Sequence, residues 1–105
     1  MKVYVLTSTT AYETWNEFLG VFPTAVDAIN FLKENPKQVG GDQMDIFETS
    51  MSMSGKGFDE RDGHVCHIRQ PKAFGEWIIE YADGSQESLG ETVWDNDVGG
   101  IVWSK

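Results

Sequence analysis

The chain is 105 residues long and carries 17 acidic against 8 basic side chains, a formal net charge of -9 at pH 7, with 40% of its residues hydrophobic and 12% aromatic. This length and apolar content suit a single domain over residues 1–105 with one core, and they exclude both a disordered polar chain and room for a second core. The charge repels phosphate, so neither nucleic acid nor anionic lipid is an expected direct ligand; lone Cys66 excludes an internal disulfide, and the apolar run from Val3 to Leu6 is too short for a signal segment or membrane span, so a reducing cytoplasm is the expected compartment.

Lys2 to Thr7 reads as a strand with apolar residues on both faces, the pattern of a strand inside a sheet. Trp15 to Phe22 reads as its hairpin partner, with Gly20 marking a bulge or a close backbone approach. Thr24 is an N-cap with Asp27 three residues on, and Ala25, Ala28, Ile29 and Leu32 repeat at helical spacing, which predicts a helix from Thr24 to Asn35 ended by Pro36. Met44 to Met53 alternates on Phe47, Thr49, Met51 and Met53, and predicts a strand whose other face is partly polar. Ser54 to Gly63 is rich in turn residues and predicts a loop, after which His64 to Arg69 resumes as a short strand. Glu76 to Ala82 alternates Trp77, Ile79 and Tyr81 against Glu76, Ile78 and Glu80, and A-D-G-S turns the chain into a final hairpin. The expected fold is therefore α+β: a mostly antiparallel sheet of about five to six strands, with one main helix packed on one face.

The register of that hairpin decides what its acid does. A two-residue Asp83-Gly84 turn would set Glu80 opposite Glu87 and Glu76 opposite Glu91, at about 0.2 to 1 kcal/mol per like-charged pair. A three-residue Ala82-Asp83-Gly84 loop instead sets Tyr81 opposite Ser85 and Trp77 opposite Leu89, which gathers one apolar face. Burying Leu89 is worth roughly 1.5 to 3 kcal/mol, so both terms favour the three-residue loop.

No motif for chemistry is complete. H-V-C-H, with His64, Cys66 and His67, contains metal-ligating side chains, but regular alternation puts His67 on the face opposite His64 and Cys66, and there is no further Cys or His. No metal and no cofactor are therefore expected. Asp95-Asn96-Asp97 resembles the start of a calcium loop whose twelfth position would fall past Lys105, so it reads as a turn. Cys66 lacks a histidine from elsewhere in the chain, and carboxylates spread over an exposed sheet lack the unequal burial that acid and base roles need, so the chain is not expected to be an enzyme.

What remains is acid beside aromatics. From Phe74 onward there are seven carboxylates and one base, Lys105, together with Trp77, Trp94 and Trp103. Glu76, Glu80, Glu87, Glu91, Asp95 and Asp97 form the expected protein-binding surface, with Trp94 and Trp103 as its anchors; Met51 and Met53 are adaptable contact residues nearer the long loop. The partner of such a surface is a basic protein, and the chain could also pair with itself as a homodimer.

K-V-Y-V-L-T at Lys2 to Thr7, G-V-F at Gly20 to Phe22 and a helix with Ala25 and Ala28 resemble the opening of short uncharacterised proteins of tailed phages and bacteria. The resemblance covers the first third of the chain and carries no functional residues. It implies a mobile-element origin, in which small acidic proteins resemble counter-defence inhibitors of the anti-CRISPR or DNA-mimic type. The expected function is a phage or mobile-element inhibitor of a basic bacterial nuclease, defence effector or other nucleic-acid-handling protein, acting in the host cytoplasm. An immunity protein for a basic toxin has the same surface. An aromatic-lined sponge for a nucleotide signal would need Lys56, Arg61, Arg69 and Lys72 around a pocket.

Overall fold

The computed structural model describes residues 2–10, 17–50, 63–72 and 75–104. Its main sheet has six strands: β1 (Lys2–Thr9), β2 (Glu17–Phe22), β3 (Gln43–Ser50), β4 (His64–Arg69), β5 (Trp77–Tyr81) and β6 (Gln86–Gly90), in the order β2-β1-β3-β4-β5-β6. A second, two-stranded ribbon pairs β7 (Thr92–Asp95) with β8 (Gly100–Trp103), and every ladder is antiparallel. The architecture is α+β, with one main helix, α1 (Ala25–Glu34).

Topology places that helix. β2 and β3 both run antiparallel to β1 from its two sides, so they are parallel to each other and a crossover must join them. α1 is that crossover. Thr24 Oγ1 accepts the Asp27 backbone N–H at 3.1 Å, and the helix stops at Asn35 before Pro36. Its buried Ala28, Ile29 and Leu32 meet Leu6 of β1 and Met44 and Ile46 of β3, and the same core continues through Cys66, Ile68, Trp77, Ile79 and Leu89.

The final hairpin adopts the three-residue loop. Gly84 N–H donates to Tyr81 O at 2.9 Å, Gly84 has φ 89°, and Tyr81 N–H donates to Ser85 O at 2.9 Å. Ile79 then faces Glu87 and Glu80 faces Gln86, so no carboxylates are opposed, and Leu89 is 8% exposed. One detail differs from expectation: the register shifts between Trp77 and Ile78, so Trp77 pairs with Gly90 and Leu89 is the bulged residue. The bulge keeps Leu89 in the core.

β3 is the expected strand, and the structure assigns its inward face. Its inward residues are Met44 and Ile46, both fully buried, while Phe47 and Thr49 alternate onto the other face. The helix lies over Leu6, and the pairing of Leu6 with Ile46 carries the even-numbered residues to that side. Gly20 sits at an irregularity as expected: Leu6 pairs with Gly20 and Thr7 with Phe18, leaving Leu19 as the extra residue. Trp15, Met51, Met53, most of the 54–63 loop and Phe74 lie outside the described residues. Among the described residues no helix is long and apolar enough to cross a membrane.

Candidate functional site

The ribbon presents the most exposed aromatic side chain of the described chain. Trp94 is 63% exposed, as is Val98 at the turn, and Val93 is exposed beside them. The turn is built by Asp95, whose Oδ1 accepts the backbone N–H of Asp97 at 2.8 Å and of Val98 at 3.2 Å, while Gly99 N–H donates to Asp95 O at 2.8 Å. D-N-D-V-G is thus a turn, and its first carboxylate is occupied with the backbone. Trp94 Nε1 donates to Asn96 Oδ1 at 2.9 Å, which orients the exposed ring. Glu91 and Asp97 are exposed on the same ribbon or next to it.

Trp103 does a different job from Trp94. Half-buried against the core, it donates Nε1–H to Leu32 O at 3.2 Å, a carbonyl in the last turn of α1. It anchors the ribbon to the protein, and since Thr92 pairs with Trp103 and Trp94 with Ile101, Trp94 lies on the same ribbon face, nearer the turn, where its ring is exposed. A cleft of about 490 Å³ lies where the ribbon meets the end of the helix, lined by Pro36, Lys37, Val98, Ile101 and Val102 among others.

Two of the other expected surface acids are separated by the sheet itself. Glu80 and Glu87 lie on opposite faces of the sheet, because Glu80 faces Gln86 and Ile79 faces Glu87. Glu87 Oε2 accepts from Tyr81 Oη at 2.9 Å. Burial, and then this hydrogen bond, push the Tyr81 phenol up to about 12. Glu80 is engaged on the other face, with Oε1 3.2 Å from His67 Nε2, Oε2 3.7 Å from Arg69 Nη2, and Gln86 Nε2 donating to Oε2 at 2.9 Å. Glu76 is exposed and lines a shallow cleft with Pro71, Lys72 and Ile78. Of the bases offered for a nucleotide pocket, Arg69 faces Glu80, Lys72 lies in that cleft, and Lys56 and Arg61 fall outside the described residues.

On the helix-free face a second cluster appears that alternation had ruled out. Asp45 pairs with His67 and Ile46 with Cys66, but Phe47 then pairs with His64, so Val65 is an extra residue in β4. This bulge turns His64 onto the same face as His67, with ring centroids 5.8 Å apart. The expected separation of the two histidines is therefore incorrect, and it is Cys66 alone that points into the core. One potential ligand atom from each of Asp45, His64 and His67 lies within 4.8 Å of the others. His64 Nε2 is 3.1 Å from Asp45 Oδ1, and Gln43 Nε2 donates to that same oxygen at 2.9 Å.

His67 Nε2 is buried and has no hydrogen-bond partner, even though Glu80 Oε1 lies 3.2 Å away; the approach is out of line for a bond. Burial and, less strongly, the Asp45 charge push the Cys66 thiol up to about 12, so it is a poor nucleophile near neutral pH. Sequence reasoning missed Asp45. The signal was available in M-D-I, where a lone carboxylate sits between two apolar residues of one strand and must find partners on the opposite face. Compared with known proteins, the chain matches no family model, no curated protein and no solved structure.

Proposed function

We propose that the protein is a non-enzymatic binding protein that docks on a basic bacterial protein through its β7–β8 ribbon, as an inhibitor of a defence or nucleic-acid-handling factor. The observation that carries this reading is Trp94, a large ring 63% exposed and oriented by Asn96, beside exposed Val98 and Asp97. An oriented aromatic can enter a pocket with little loss of freedom, and surrounding carboxylates select a basic rim. In this reading the contact surface is the ribbon. Trp94, Asp95, Asp97 and Glu91 are its components, Trp103 holds it in place, and Glu76, Glu80 and Glu87 contribute only to the long-range negative field.

The phage-like opening of the chain supports the inhibitor class over a housekeeping one, and neighbouring genes separate an inhibitor, carried in a phage cassette, from an immunity protein carried beside its toxin. The test is capture from bacterial lysate on immobilised wild type and on Trp94→Ala, followed by identification of what each retains. The reading expects a basic protein held by the wild type, released by ~1 M salt and absent from the variant. Retention that ignores both salt and Trp94 would remove the ribbon from the mechanism.

A further inference from the structure

We propose that Asp45, His64 and His67 form a binding site for a divalent first-row transition ion, with Zn2+ as the natural probe, on the helix-free face of the sheet and separate from the ribbon. Two imidazoles and one carboxylate are the donor set that suits Zn, Fe, Co or Ni, and Cys66, on the other face, contributes no thiolate.

The geometry is close to what coordination requires. Bonds of ~2.0 to 2.1 Å place neighbouring ligand atoms ~2.8 to 3.0 Å apart for octahedral angles and ~3.3 to 3.4 Å apart for tetrahedral ones. His64 Nε2 and Asp45 Oδ1 already stand at 3.1 Å, and all three ligand atoms fit within 4.8 Å. The ion would sit between them after a small rotation of the rings. His67 supplies a second observation: its Nε2 is buried without a hydrogen-bond partner, out of line with the Glu80 carboxylate 3.2 Å away, and a coordinated cation would satisfy it. Both histidines turn Nε2 toward carboxylates, Asp45 for His64 and Glu80 for His67, so the local field favours a cation.

The supporting groups are those of a metal site. Gln43 donates to the Asp45 oxygen that faces His64, and Glu80 stands beside His67 and adds negative charge there. The backbone is fixed, because Asp45 and His67 are direct cross-strand partners in the middle of the sheet and the Val65 bulge sets His64. Three protein ligands leave room for water on the ion. Its oxygens and nitrogens also distinguish the site from the ribbon acids, which offer oxygen alone.

The experiment titrates the metal-free full chain with Zn2+ by calorimetry, and with Co2+ by visible absorption, which reports the ligand field. Expected are one ion per chain, a Co2+ spectrum altered from the hydrated ion, and a higher melting temperature as Zn2+ saturates the folded state. His64→Gln and His67→Gln should each weaken the affinity by more than ~10-fold, and Gln43→Ala by ~10-fold. Ca2+ should not compete, and Glu91→Gln with Asp97→Asn should leave the affinity unchanged. Should His67→Gln prove unfolded by circular dichroism, His64→Gln decides, since that ring is half exposed. Absence of saturable Zn2+ binding up to ~100 µM, or binding lost with the ribbon acids and retained in both histidine variants, overturns the site.

Discussion

Trp103 donates its indole N–H to the carbonyl of Leu32, 71 residues earlier in the chain, at 3.2 Å. The same carbonyl accepts the Asn35 backbone N–H at 3.3 Å, so one oxygen at the end of α1 serves both the helix terminus and the ribbon. Ser104 N–H closes the arrangement by donating to Glu91 O at 2.7 Å. Trp103→Phe keeps most of the ring contact and removes the hydrogen bond, and should cost about 1 kcal/mol. Trp103→Ala removes both and should cost about 2 to 3 kcal/mol, discounted from a fully buried tryptophan. Urea denaturation of the three proteins checks the order.

The Ala82–Gly84 loop makes Leu89 a core residue, and Leu89→Ala should destabilise the chain by about 2 to 3 kcal/mol. Its exposed neighbour Ser88 should tolerate alanine within about 0.5 kcal/mol. A melting-temperature comparison is sufficient, because about 1 kcal/mol shifts a domain of this size by several degrees. Equal effects at the two positions would mean that the register is wrong.

That hairpin was legible in the sequence, whereas the histidine cluster was not, and the difference is physical. Around Asp83-Gly84, turn chemistry, alternation and like-charge repulsion all select one register, and the bulge at Leu89 leaves the inward face intact. Around His64, alternation is the only available signal, and one extra residue in β4 inverts its conclusion. The helix was equally legible from Thr24, Ala28, Ile29 and Leu32. Alternation alone did not show which face of β3 turns inward, because Phe47 and Thr49 extend a longer pattern than Met44 and Ile46 do. Only the crossover of α1 above Leu6 determines which set is covered. At the ribbon, sequence named both Trp94 and Trp103 as anchors but could not tell that the second is half-buried against the core and bonded to Leu32.

Gly63 tests how firmly the bulged end of β4 is fixed. It has φ 72°, its carbonyl accepts Glu48 N–H at 2.7 Å, and a Cβ there would run into the Glu48 carbonyl. Gly63→Ala therefore meets both an unfavourable backbone conformation and a collision with β3. The expected cost is about 1 to 3 kcal/mol, with altered chemical shifts at His64 in the folded variant. A neutral outcome would show that this junction is not constrained.

Cys66 and Tyr81 predict how stability responds to alkali. The folded thiol is raised from 9.0 to about 12, by burial and then by Asp45, and the Tyr81 phenol from 10.0 to about 12, by burial and then by Glu87. Above the unfolded values the unfolded chain binds fewer protons than the folded one, so unfolding becomes progressively easier as pH rises. Stability should be level with respect to these two groups below about pH 9, then fall from 9 toward 12, the thiol acting first. Cys66→Ala should remove the earlier part of the decline, and Tyr81→Phe the later part. Denaturation midpoints measured from pH 8 upward provide the check. In the native protein the thiol should resist a thiol reagent at pH 8 and react on unfolding.

For binding, charge and aromatic contact should separate in the kinetics. Exposed carboxylates act at a distance and are screened within about 8 Å at physiological ionic strength, so they govern how fast the partners meet. Trp94 acts only after contact, when its exposed ring is desolvated, so it governs how long they stay together. Glu91→Lys and Asp97→Lys should slow association and flatten its salt dependence, while Trp94→Ala should speed dissociation with little change in association. Asn96→Ala is the discriminating variant, because it keeps the ring and removes the hydrogen bond that orients it. If orientation matters, its dissociation rate should fall between those of wild type and Trp94→Ala, by several-fold for the ~1 kcal/mol that one hydrogen bond represents. Surface plasmon resonance against the captured partner measures both rates, and a Trp94→Ala variant that dissociates like the wild type would move the contact surface away from the ribbon.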